Sequence, residues 1–138
     1  MKSSEIVLKY SFIPGAAYFL LVSIAHLFNI KVPVLFIYYN IESFAYQNKI
    51  ISLLSFGWAA FFCTGYILVK LQKTKYSILH IAAGVFGILV FIVINLGKEV
   101  RALARGGSLF PYWLVVSILF LYLIWLIFFY GLSMRKKV

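Results

Sequence analysis

Few side chains in this sequence are equipped for chemistry, and where they fall matters more than how many there are. The histidines are His26 and His80, the carboxylates are Glu5, Glu42 and Glu99, and the single cysteine is Cys63. Two histidines are the ligand set of a bis-histidine haem. A carboxylate inside a membrane is the usual carrier of a coupled proton or ion. A lone cysteine forms neither an intrachain disulfide nor a dithiol redox pair, and Cys63, in an apolar run, suits a small packing role. The spacings of a metal hydrolase, a phosphate-binding glycine loop and a serine nucleophile elbow are absent, so no catalytic residue is nominated. The best constellation for binding is His26, Asn95, Glu99 and Arg101. Asn95 and Glu99 are four apart, which puts them on one face of a continuous helix, and Arg101 lies just beyond. Polar groups at that level need a partner. The partner is either water and one another, or the polar head of an amphipathic molecule such as a quinone or a lipid.

The elements that must hold these residues are membrane helices. The chain has 138 residues, 64% of them hydrophobic and 12% charged, with a mean hydropathy of +1.03, far from the balance of a water-soluble domain. Uncharged runs at residues 10–28, 50–69, 76–97 and 109–132 predict an all-α, four-helix membrane bundle forming one domain over residues 1–138. Twenty residues at about 1.5 Å each reach roughly 30 Å, the thickness of a hydrocarbon core. The first run has signal-peptide features, with Ser23, Ile24 and Ala25 as a small-residue cleavage site. Its continuation through Leu27 and Phe28 favours a retained span, with Pro14 expected in the first turns, where a missing N–H costs least.

Between the first two spans, residues 32–39 are apolar but too few to cross, and Pro33 interrupts them, as in an interfacial or re-entrant segment. Phe36, Tyr38, Tyr39, Phe44 and Tyr46 suit the headgroup level, and residues 32–46 are expected to lie as a lid across the bundle's mouth or as a plain interfacial connector. Ser55, Ala59 and Cys63 recur every four residues on the second span, and Ala83 and Gly87 on the third, so these two small-residue faces are expected to meet. Residues 98–105 are expected to continue the third helix. The last span is bulky, with Trp113, Phe120, Tyr122, Trp125, Phe128 and Phe129, and is expected to face lipid or a partner protein.

The net charge of +10 comes from basic residues at span ends, which points to anionic lipid headgroups and not to nucleic acid. With four spans, Lys2, Lys9, Lys70, Lys73, Lys75, Arg135, Lys136 and Lys137 share one side, against Lys31, Lys49, Lys98, Arg101 and Arg105. The larger group predicts both termini in the cytoplasm. The histidines then differ in depth by roughly 20 Å on a 30 Å span, which argues against a single-chain bis-histidine haem. All three carboxylates lie at or beyond span ends, which argues against ion-coupled transport. A small multidrug exporter would carry a glutamate where this first span has Tyr18, Phe19 and Leu20.

Four spans in so short a chain, with an irregular first outer loop, are similar in outline to the DoxX-like small bacterial membrane proteins. That resemblance implies a bacterial plasma membrane and, from members linked to quinone-dependent oxidation, a quinone as ligand. It covers the span layout and carries no site. The run Ser55, Phe56, Gly57, Trp58, Ala59 lacks the carboxylate expected in that family's middle helices. Two expectations follow: a bundle binding an amphipathic small molecule at its outer mouth, or a non-catalytic accessory subunit docking through the last span.

Overall fold

The computed structural model describes residues 1–36, 41–103 and 107–135, the side chains of Glu99 and Leu103 excepted. Its elements are α1 (Ser3–Leu27), α2 (Ala45–Lys70), a 3-10 turn (Thr74–Ser77), α3 (Ile78–Leu96), the short α4 (Lys98–Leu103) and α5 (Phe110–Met134). The described residues are all-helical, and four helices, at Ser3–Leu27, Ala45–Lys70, Thr74–Leu96 and Phe110–Met134, are long and apolar enough to cross a membrane. Helices satisfy their own backbone in hydrocarbon, where no water can do so.

The helices overrun the apolar runs because polar residues cap them. The Lys2 N–H donates to Glu5 Oε2 at 2.8 Å, and the Phe44 N–H to Gln47 Oε1 at 3.0 Å, each closing an end of the capping-box type. Helix α1 therefore begins at Ser3 and α2 at Ala45. Pro14 consequently lies inside α1, not in its first turns, and leaves the Tyr10 carbonyl without its helical donor. At the other ends, Asn29 (φ 54°) and Gln72 (φ 60°) take the left-handed conformation. The following N–H groups of Ile30 and Lys73 reach back to the Ala25 and Leu68 carbonyls, both at 2.8 Å, which is the Schellman closure.

Gly97 is extended (ψ 145°) and separates α3 from α4. The expected continuous helix over 98–105 is thus broken at its start, and Asn95 and Glu99 do not share a helical face. Arg105 lies outside the described residues.

Packing differs from the expected scheme. The close pair is α1 with α2, while α2 and α3, joined by a short turn, barely approach one another. Between α1 and α2, Ser23 and Ser52 hydrogen-bond at 3.1 Å. A Cβ at Gly65 would stand 2.8 Å from the Phe12 ring, and one at Gly15 3.0 Å from Phe62. Ser55 and Ala59 are buried on the same stripe as Ser52 and Phe62, which faces α1, and Cys63 is exposed. What α2 turns toward α3 is Trp58, Phe61 and Thr64: the Trp58 ring lies 3.8 Å from a Cβ placed at Gly87, and Phe61 and Thr64 meet His80. Ala83 borders a groove beside Phe61. Bulky rings hold these two helices apart, where small residues were expected to draw them together.

Helix α5 closes the bundle by packing on α1 and α3. Trp125 Nε1 donates to Ser11 Oγ at 2.7 Å, and the Tyr122 hydroxyl donates to the Ser11 carbonyl at 2.8 Å, close to the turn that Pro14 disrupts. Phe120, Leu121 and Phe128 stay exposed on its other side. At the terminus end, Lys2 Nζ donates to the carbonyls of Ser133 (3.3 Å) and Arg135, a cation on the C-terminal pole of α5. Thr74 Oγ1 donates to Glu5 Oε1 at 3.5 Å.

Two glycines of α2 test this packing against a common background. Alanine at Gly57, which has nothing within 4 Å, gains helix propensity of up to about 1 kcal/mol. Alanine at Gly65 must displace the fully buried Phe12, so Gly65→Ala is expected to be less stable than Gly57→Ala by on the order of 1–3 kcal/mol. Thermal unfolding in detergent checks this, and equal midpoints would overturn the α1–α2 contact.

Candidate functional site

The separation of α2 from α3 leaves a cavity of about 890 Å³ inside the bundle, at the upper end of the range that holds one drug-sized ligand. Its walls are mostly apolar. Phe19 stacks with Trp58 and with Phe62, ring centroids 5.8 and 5.6 Å apart, and Ile88 and Leu123 face in from α3 and α5.

One end is polar. Asn48, 3% exposed, lies in the first turns of α2 and ties three segments together. Its Oδ1 accepts from Ser43 Oγ at 2.9 Å and lies 3.4 Å from His26 Nδ1. Its Nδ2 donates to Asn29 Oδ1 at 3.2 Å. Both groups facing Oδ1 act as donors to it, so the imidazole proton is assigned to Nδ1 and Nε2 remains an acceptor. The His26 ring stacks on Phe36 with centroids 3.9 Å apart.

The connector between α1 and α2 is pinned over this end. Tyr18 donates its hydroxyl proton to the Val34 carbonyl at 2.9 Å, and Val34 is held at φ 78°, a strained conformation for a β-branched residue. Val34, Phe36, Ile41 and Ser43 line the cavity. Phe44 and Tyr46 are largely exposed, and Tyr38 and Tyr39 lie outside the described residues.

The opposite end holds His80. Thr64 Oγ1 donates to the Phe61 carbonyl at 2.7 Å and lies 2.9 Å from His80 Nε2, so Nε2–H is the donor of that second bond. The ring is stacked on Phe61 at 4.1 Å and meets Phe12 edge-on at 5.6 Å. Helices α1 and α3 run the same way, with His26 in the last turn of one and His80 in the first turns of the other. Both histidines border the cavity from opposite ends, out of reach of one haem iron. Among the described residues, no group of three His, Cys, Asp or Glu could hold a metal ion.

Of the candidate binding residues whose side chains are described, His26 lines the cavity and Asn95 and Arg101 do not. Asn95 is buried away from its wall, and Arg101 is exposed on α4. Glu99 falls within α4, beyond the break at Gly97. The sequence reading does not nominate Asn48 or Trp58, and it includes Phe36 and Ser43 only as part of the lid over residues 32–46. A signal for Asn48 was present: it stands four residues before Ser52 on the stripe that continues through Ser55 and Ala59. The uncharged run begins only at Ile50, after Lys49, and so leaves Asn48 outside the span.

Replacing Asn48 by leucine keeps its bulk but strands the His26 Nδ1–H, the Ser43 hydroxyl and the Asn29 side-chain oxygen. Asn48→Leu is expected to cost on the order of 1–3 kcal/mol, and Ser43→Ala less, since it removes only one of two donors to the same oxygen. Thermal unfolding of both variants in one detergent measures the difference.

No protein-family model, no curated protein and no solved structure matches the chain. The outline likeness to DoxX-like proteins therefore brings no residue to this cavity, whose chemistry rests on its own side chains.

Proposed function

We propose that this protein binds an amphipathic small molecule, a quinone in its quinol form or a single-chain lipid with a hydroxyl head, with its polar head at the His26–Asn48 end of the cavity. The observation that carries this reading is a cavity of about 890 Å³ with apolar walls and a hydrogen-bonded polar cluster at one end. The tail lies among Phe19, Trp58, Phe62 and Ile88. Because His26 Nε2 is an acceptor, the head that fits carries a hydroxyl, as a quinol or an alcohol does. The accessory-subunit reading calls for a filled bundle, and the open interior supports the binding reading over it.

Binding is tested by purifying wild type, His26→Ala and Arg101→Ala in mild detergent and quantifying co-purified small molecules by mass spectrometry. Wild type and Arg101→Ala are expected to carry equal loads, and His26→Ala about tenfold less, the loss of one hydrogen bond of about 1.4 kcal/mol. An empty wild-type protein, or an undiminished load in His26→Ala, would sink the proposal.

The reading also places the protein in a bacterial plasma membrane with both termini cytoplasmic, supported by the excess of lysine and arginine at the terminus end. Single cysteines at Phe44 and Lys73, both exposed, in a Cys63→Ala background report orientation. Only the Phe44 position is expected to react with an impermeant thiol reagent on intact cells, and reaction at Lys73 alone would reverse the topology.

A further inference from the structure

The cavity's walls are not equally tight. The α1–α2 side is closed by the Ser23–Ser52 bond and by Phe62 against Gly15. The α1–α5 side is tied by Trp125 and Tyr122 to Ser11. On the α3–α5 side, a Cβ at Gly84 would stand 3.2 Å from Leu123. The polar end is covered, among the described residues, by Val34 and Phe36, held by Tyr18 and His26. The seam between α2 and α3 is tied at its His80 end by Thr64 and Phe61, and by no hydrogen bond above it among the described residues.

There a second, open groove of about 310 Å³ lies on the bundle's surface, lined by Leu54, Gly57, Trp58, Phe61 and Ala83. Leu54 is 62% exposed and nothing lies within 4 Å of a Cβ at Gly57, so this groove faces the membrane's hydrocarbon. Trp58 borders both the groove and the internal cavity. Across from it, Gly87 presents no side chain, and the indole rests 3.8 Å from where a Cβ would be. One side chain against a bare backbone thus separates this groove from the interior.

We propose that the ligand is an uncharged-headed, single-tailed amphiphile dissolved in the membrane, and that it enters and leaves sideways between α2 and α3, past Trp58 at Gly87. This rests on the binding reading above and deepens it. The aperture is bordered by apolar groups on both sides, so an ionised head crossing it would lose its hydration with nothing in return. A neutral head crosses and then meets hydrogen-bond partners at His26 and Asn48.

The route can be obstructed without touching the cavity, because Ala83 and Gly57 border only the groove. The probe is a deuterated benzoquinol with a decyl tail, loaded into the protein in lipid nanodiscs. Release into an excess of vesicles holding the unlabelled compound is followed by mass spectrometry of the captured protein. Ala83→Trp and Gly57→Leu are expected to lengthen the half-times of loading and release at least tenfold, with the equilibrium load unchanged. Unchanged half-times in both folded variants, with wild type still binding, overturn the sideways route and leave the binding reading standing. A fall in equilibrium load in both variants also overturns it, because the groove would then act on the site itself. A wild type that takes up no probe removes the binding reading, and this inference with it.

Discussion

The structure depends on an asymmetry in what α2 offers its two neighbours. Toward α1 it turns Ser52, Ala59 and Gly65, small enough for the helices to close on Phe12 and on the Ser23–Ser52 bond. Toward α3 it turns Trp58 and Phe61. In a bilayer no hydrophobic force pulls helices together, since lipid tails are as apolar as side chains, and close approach of backbones decides which pair associates. One helix therefore grips one neighbour and fends off the other. The cavity is what the second relation leaves behind, and α5 spans it from the far side.

The polar groups inside the bundle are placed where this arrangement needs a tether. Pro14 interrupts the hydrogen bonding of α1 in mid-helix, and Tyr122 and Trp125 bring donors from α5 to the two oxygens of Ser11 beside the interruption. The carbonyl that Pro14 frees is that of Tyr10, and α5 is held at the residue next to it. Asn48 acts similarly at the other end, where its amide joins α1, α2 and the connector in one network. Both sites use groups that would be a liability in lipid as attachments between segments.

Much of this was legible in the sequence, and what was not has a physical reason. Four uncharged runs announce four helices because only a helix satisfies its backbone in lipid. Hydropathy does not mark helix ends, since α1 and α2 continue through polar residues into the headgroup level and stop only at a cap. The uncharged run of α2 starts at Ile50, five residues inside the helix, so hydropathy alone sets Asn48 outside it. A stripe of small residues does not say which helix it receives: Ser55 and Ala59 are buried beside Ser52, which meets Ser23 of α1, where α3 is the neighbour the spacing suggests. His26 could be nominated from its place near a helix end. Asn95, Glu99 and Arg101 could not be judged, since whether they share a face with one another turned on the single extended residue Gly97.

The tether at Ser11 has a consequence for how the molecule comes into being. Its donors lie 111 and 114 residues further along the chain, whereas the contacts between α1 and α2 join neighbouring segments. Local pairs assemble early and distant ones late. During synthesis the first hairpin can form as soon as α2 has been inserted, but α1 keeps its interrupted turn facing lipid until the last helix arrives. The interior acquires its fourth wall at that same moment. A nascent chain halted before α5 would thus hold a paired α1 and α2 with the Asn48 cluster between them, and the apolar part of the site is the last to be walled in.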